Sequence, residues 1–221
     1  MPAYFDMTLQ FLRKDLYPGF VADFDAHLER SGLGFRSGCW EDAGLSQAEI
    51  AAWNQKKLDA NFRLDYTEHY THDYKQVLYQ FEQYERVRGY WMNREAEEDV
   101  FTYVILIPER EVLTCEDSVC CMEICFQKER AEELLRLAKR LWQFPQVKAI
   151  QTGLELSGNP VELSALEAGQ PPCAEAFAIL EPGCPCCADG LRAVELTQGR
   201  PGVLLLEDKN LPGPIESESN I

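Results

Sequence analysis

The segment Gly183-Cys184-Pro185-Cys186-Cys187-Ala188-Asp189-Gly190 puts three thiols within four residues. Gly183, Pro185 and Gly190 mark a turn, and turns lie at the surface, whereas a free cysteine more often hides in a core as a small hydrophobe. A Cys-x-x-Cys turn can aim two thiolates at one tetrahedral zinc ion, or it can cycle as a dithiol. Cys184, Cys186 and Cys187 are therefore the first metal candidates, and zinc is the one cofactor they suggest. A structural zinc takes four ligands, and the sequence offers no second Cys-x-x-Cys. Cys173 is the nearest further thiol, but an extended strand between it and Cys184 would hold them roughly 25 Å apart. The plainer expectation is a loop of partly buried, inert thiols.

A second candidate is Glu68-His69-Tyr70-Thr71-His72-Asp73. On a helix, His69, His72 and Asp73 fall on one face at spacings i, i+3 and i+4. Two imidazoles and a carboxylate suit zinc or iron. Histidines beside surface acids also occur without any metal. Cys115, Cys120, Cys121 and Cys125 are close in sequence, but a strand separates them. Cys120 and Cys121 face opposite ways, and Cys121 and Cys125 sit about 13 Å apart on one face. These read as packing residues. There is no nucleophile elbow, phosphate-cradling glycine loop or dinucleotide fingerprint, so no catalytic residue is assigned.

Cys184-Pro185-Cys186-Cys187 also resembles the Cys-Pro-x-Cys of glutaredoxin-like redox proteins, over those four residues alone. The resemblance implies a thiolate of lowered pKa at a helix N-terminus. An odd total of nine cysteines fits a reducing compartment better than a disulfide framework, so the chain is expected to be soluble and cytoplasmic. The stretch Met1 to Phe20 mixes Asp6, Arg13, Lys14 and Asp15 into its apolar residues, and reads as no leader peptide. The longest strongly apolar run, Val100 to Ile107, falls far short of the roughly 20 residues of a membrane helix.

Thirty-seven acidic side chains against 21 basic ones give a formal charge of -16. Nucleic acids and anionic membranes need clustered Lys and Arg, so neither is an expected partner. A basic protein is the partner that this charge would attract. Tyr66, Tyr70, Tyr74, Tyr79, Tyr84, Tyr90 and Trp91 fall within 26 residues. Such rings suit a recognition surface, although they also suit the covering of a sheet.

The elements that must position these residues follow from periodicity. Lys128 to Phe144 carries Ala131, Leu134, Leu135, Ala138, Leu141 and Trp142 on one helical face, with acids near its start and bases near its end. Val119 to Phe126 before it and Val147 to Thr152 after it read as strands, which implies a right-handed crossover. Val100 to Ile107 reads as a strand pairing with Val119 to Phe126. That order resembles a ferredoxin-like β-β-α-β unit. Pro18 to Arg30 reads as a helix, Leu33 to Trp40 as a strand, and Ser46 with Glu49 as a capping box on a helix to about Ala60. From Tyr66 to Gly89 a helical stripe competes with alternation at Val77, Tyr79 and Phe81. Helix is favoured for the first half, with Gly89 as its stop, and strand for the last part.

The expected fold is α+β, a mainly antiparallel sheet with helices on one face. Residues 1–152 form the main domain, and 153–206 form a β-rich extension or subdomain with a short helix from Asn159-Pro160 and three strands. Residues 207–221 form a weakly packed tail. The expected function is a non-enzymatic acidic protein that binds another protein, as interaction, inhibitor or immunity proteins do. The alternative is a zinc or thiol-redox protein built on Cys184-Pro-Cys-Cys187.

Overall fold

A computed structural model describes residues 3–63, 73–93, 99–117, 122–155, 159–185 and 190–207; for 115–117 and 122–124 it describes the backbone alone. Its centre is strand β1 (Tyr4–Leu12). Phe5, Met7, Leu9 and Phe11 alternate along it and are fully buried, because a period of two puts every second side chain on one face of a sheet. This strand lies inside the N-terminal stretch from which no element is expected. The charged residues of that stretch are Asp6, on the opposite face of the strand, and Arg13, Lys14 and Asp15, which follow it in a 3-10 turn.

Among the described residues ten further strands follow: β2 (Gly34–Gly38), β3 (Val77–Phe81), β4 (Tyr84–Met92), β5 (Val100–Pro108), β6 (Leu113–Asp117), β7 (Met122–Phe126), β8 (Val147–Leu154), β9 (Phe177–Leu180), β10 (Leu191–Leu196) and β11 (Gly202–Glu207). Nine strands form one sheet in the order β10-β11-β9-β8-β1-β5-β4-β3-β2, while β6 and β7 pair apart from it. Every strand pair in the large sheet is antiparallel.

The expected ferredoxin-like unit is not what forms. It requires β5 to pair with the strand before the third helix. Instead β5 pairs with β1 and β4, and β7 pairs with β6 in register from Leu113–Phe126 to Asp117–Met122. With β7 outside the large sheet, no parallel crossover joins it to β8. A short connection lets the nearest antiparallel partner win.

Helices α1 (Phe20–Arg30), α2 (Gln47–Asp59) and α3 (Lys128–Leu141) bury their apolar stripes in one core with the Phe5–Phe11 face of the sheet. The capping box on α2 is present. Glu49 N–H donates to Ser46 Oγ at 3.3 Å, and Ser46 N–H donates to Glu49 at 2.8 Å. Rings of Phe11, Phe20, Phe24, Trp91, Phe101 and Phe144 meet across the centre, with Phe11 and Phe24 edge to face at 5.3 Å. Each such pair adds roughly 0.5–1.5 kcal/mol beyond its area.

The short helix α4 (Leu163–Glu167) packs on the other face, with Ala149, Ala178, Leu180 and Leu205. Helices therefore lie on both faces, not on one. Two buried glutamines fasten the chain around α4. Gln151 Nε2 donates to Gln10 at 2.6 Å and to the Val161 carbonyl at 2.8 Å, while its Oε1 accepts from the N–H groups of Val161 and Cys173. No helix among the described residues is long and apolar enough to cross a membrane.

Candidate functional site

Cys184 ends a short turn after β9 and is half-buried against the α4 cluster. Its thiol donates to the Leu166 carbonyl at 3.3 Å. That bond uses the proton a metal-bound thiolate would have lost. Cys184 also lines a cleft of about 270 Å³ with Leu12, Lys148, Leu163, Leu166 and Leu180. Lys148 is already ion-paired there, to Glu181 at 3.4 Å and Asp15 at 3.6 Å. Cys186 and Cys187 lie outside the described residues.

His69 and His72 also lie outside the described residues. Asp73 is placed, in a bend that leads to β3 and not in a helix. Its carboxylate accepts from Tyr74 N–H at 2.6 Å, and its carbonyl accepts from Trp53 Nε1–H at 2.9 Å. Burial pushes its pKa up, while the backbone bond and Lys57 oppose that. The third histidine, His27, packs its ring on Phe144 at 5.3 Å and meets the Arg140 carbonyl at 3.0 Å. Among the described residues, no three His, Cys, Asp or Glu side chains gather as a metal site would need.

The last part of the tyrosine-rich stretch is the expected strand, a hairpin of β3 and β4, while 66–72, where a helix is expected, lie outside the described residues. Its alternation wins over the helical stripe because Tyr79, Phe81, Val87 and Trp91 all bury on the core face. Tyr74, Tyr79 and Tyr84 are core residues as well, so they offer no recognition surface; Tyr66 and Tyr70 lie outside the described residues. Gly89 is no helix stop. It sits mid-strand, where a methyl group would run into the Tyr103 hydroxyl and the Tyr79 ring. Those two hydroxyls share a buried hydrogen bond. Asp25 of α1 bears on both, and burial raises its pKa from 3.8 to about 7.

The feature that stands out is Trp40, just past the edge strand β2. It is 67% exposed and is the one exposed large hydrophobic among the described residues. Its backbone is left-handed, at φ 49°. For a bulky side chain that conformation costs on the order of 1–3 kcal/mol and persists only where the surroundings enforce it. They do so here. Gly38 lies so close to the Asp42 carbonyl that a side chain would collide with it. Asp42 is ion-paired with Lys75. Lys75 is held by Asn54 of α2, which accepts from its N–H at 2.8 Å and donates to its carbonyl at 2.9 Å. Cys39 N–H donates to the Gln76 carbonyl at 3.0 Å. The turn is thus pinned to α2 and to the residues that lead into β3.

Arg88 of β4 lies over the Trp40 ring at 5.5 Å and over the Tyr4 ring at 5.3 Å. Registry places Ser37, Leu78, Arg88, Leu106 and Asp6 in one row across five strands, on the face away from α1, α2 and α3. The sequence reading carries a strand from Leu33 to Trp40, but β2 stops at Gly38 and leaves Trp40 beyond it. The available signal was a tryptophan directly after Gly38-Cys39 and before Glu41-Asp42, a turn sequence where an apolar ring has no helical or strand stripe to join.

No protein-family model matches the chain, and no curated protein matches it. Among solved structures it is similar to a Pseudomonas aeruginosa T6SS protein, PA0821, at 11% identity and a TM-score of 0.38, over 92% of this chain and 68% of that one.

Proposed function

We propose that this chain is a non-enzymatic, acidic protein-binding protein whose contact surface is centred on Trp40. The carrying observation is the exposure of Trp40 on a strained and pinned turn. A ring that served only packing would be covered, and a turn that served only connection would take glycine at a left-handed position. Binding hot spots are enriched in Trp, Tyr and Arg, and Trp40, Tyr4 and Arg88 are the three that meet here. Holding the ring in place beforehand removes an ordering cost from association. The formal charge of -16 supports a basic partner, drawn in over distances that salt shortens.

Capture from native lysate on immobilised protein tests this. A basic protein is expected to be retained at low salt, released as ionic strength rises, and lost with Trp40→Gly. Retention of no protein at low salt, or equal retention by the variant, refutes the reading.

A further inference from the structure

We propose that the Trp40 face takes a carboxylate from its otherwise basic partner, bound by Arg88 between the aromatic rings. This rests on the reading of that face as the contact surface, and it names the group the surface selects. Acids outnumber bases 37 to 21 in this chain, and Arg36, Arg86 and Arg88 are among the bases with no ion pair among the described residues. Arg86 and Arg88 come together at one spot, and Arg36 lies on the edge strand nearby in the chain. Arg36 sits exposed in the bulge of β2, between Phe35 and Ser37. Arg86 and Arg88 both act on the Cys39 thiol, next to Trp40.

Arg88 is the centre of that island. Its guanidinium lies over the Trp40 and Tyr4 rings, and its Nε is buried without a hydrogen-bond partner among the described residues. A half-buried guanidinium has already lost water on that side and received no acceptor in return. Its planar fork of donors matches a carboxylate, and such charge-assisted bonds are about twice as strong as neutral ones. Asp6 is the acid in the same row, but Leu106 of β5 stands between it and Arg88, and Asp6 already accepts from Thr8 Oγ1 at 3.2 Å. Asp42 also acts on the Cys39 thiol but is ion-paired with Lys75, so Arg86 and Arg88 face one exposed acid beside Trp40, Glu41. The net charge would bring a basic partner near, and contact would then favour one with an Asp, a Glu or a C-terminal carboxylate at its centre.

Two short lysine-rich peptides test this, identical except for a central glutamate or glutamine. Each is titrated into the full chain while the Trp40 indole N–H is followed by NMR. At low salt both should shift that signal, and the glutamate peptide should bind about fivefold more tightly, the gain of one partly screened ion pair. Arg88→Gln should erase the difference while both peptides still shift Trp40, and Arg88→Lys should keep part of it. Equal affinities in the natural protein overturn the carboxylate inference and leave the contact surface standing. No shift of Trp40 with either peptide overturns the surface as well.

Discussion

Replacing Asp25 by asparagine probes the buried acid at the centre of the fold. Asp25 is only 7% exposed, on the inner side of α1, and it bears on the hydroxyls of Tyr79 from β3 and Tyr103 from β5. Burial raises its pKa from 3.8 to about 7, because a charged carboxylate there would lose its water. An acid whose folded pKa exceeds its unfolded one holds its proton more tightly in the fold. Between about pH 4 and pH 7 the folded chain therefore binds more protons than the unfolded chain, and stability falls as pH rises through that window. Below the window the group is neutral in both states, and above it the penalty is constant. The gap of about three pH units, at about 1.4 kcal/mol each, comes to roughly 4 kcal/mol. The asparagine amide keeps the shape of the carboxyl group and cannot ionise. Scanning calorimetry should find Asp25→Asn within about 1 kcal/mol of the natural protein at pH 4. At pH 8 the variant should be more stable, by a Tm increase on the order of 10 °C for a chain of this size. A variant that is no more stable at pH 8, or that gains equally at both pH values, would show that Asp25 does not carry a desolvated charge.

Two further substitutions test the supports of the fold. Gly89→Ala forces a methyl group against the Tyr103 hydroxyl and the Tyr79 ring, and urea denaturation should show a loss of about 1–3 kcal/mol, the range for overpacking. The loss should shrink in a Tyr103→Phe background, and an unchanged loss there would remove the hydroxyl as its cause. Gln151→Leu removes the acceptor of the Val161 N–H and one acceptor of the Cys173 N–H. It should cost about 2–3 kcal/mol and speed amide exchange across 159–175, whereas a cost below about 0.5 kcal/mol would mean that α4 is held by its apolar contacts alone.

The helices were legible because their signals are local. The Phe20, Val21, Phe24 and Leu28 stripe, the Ser46–Glu49 box and the charge-sorted α3 all lie within a few turns of one segment, and each formed where the periodicity puts it. The strands were legible in part. Val77, Tyr79 and Phe81 alternate and were read as strand, whereas the same alternation at Phe5, Met7, Leu9 and Phe11 went unread, and alternation names a buried face and never a neighbour.

Pairing was decided only in three dimensions. Whether β5 joins β7 or β1 depends on which contact closes the core, and two strands a short loop apart can pair with each other and leave the large sheet. The surroundings of Cys184 were decided in the same way. Cys184 is one thiol by sequence, and the fold brings the Leu166 carbonyl to it from 18 residues away. Trp40 shows the point most directly. Its type is fixed by the sequence, while its exposure, its left-handed backbone and its meeting with Tyr4 and Arg88 come from segments up to 48 residues away in the chain. Composition determined that this protein is acidic. Tertiary structure decided that Trp40, the one exposed large hydrophobic among the described residues, stands beside Arg88, because the sheet sets side chains by register and not by distance along the sequence.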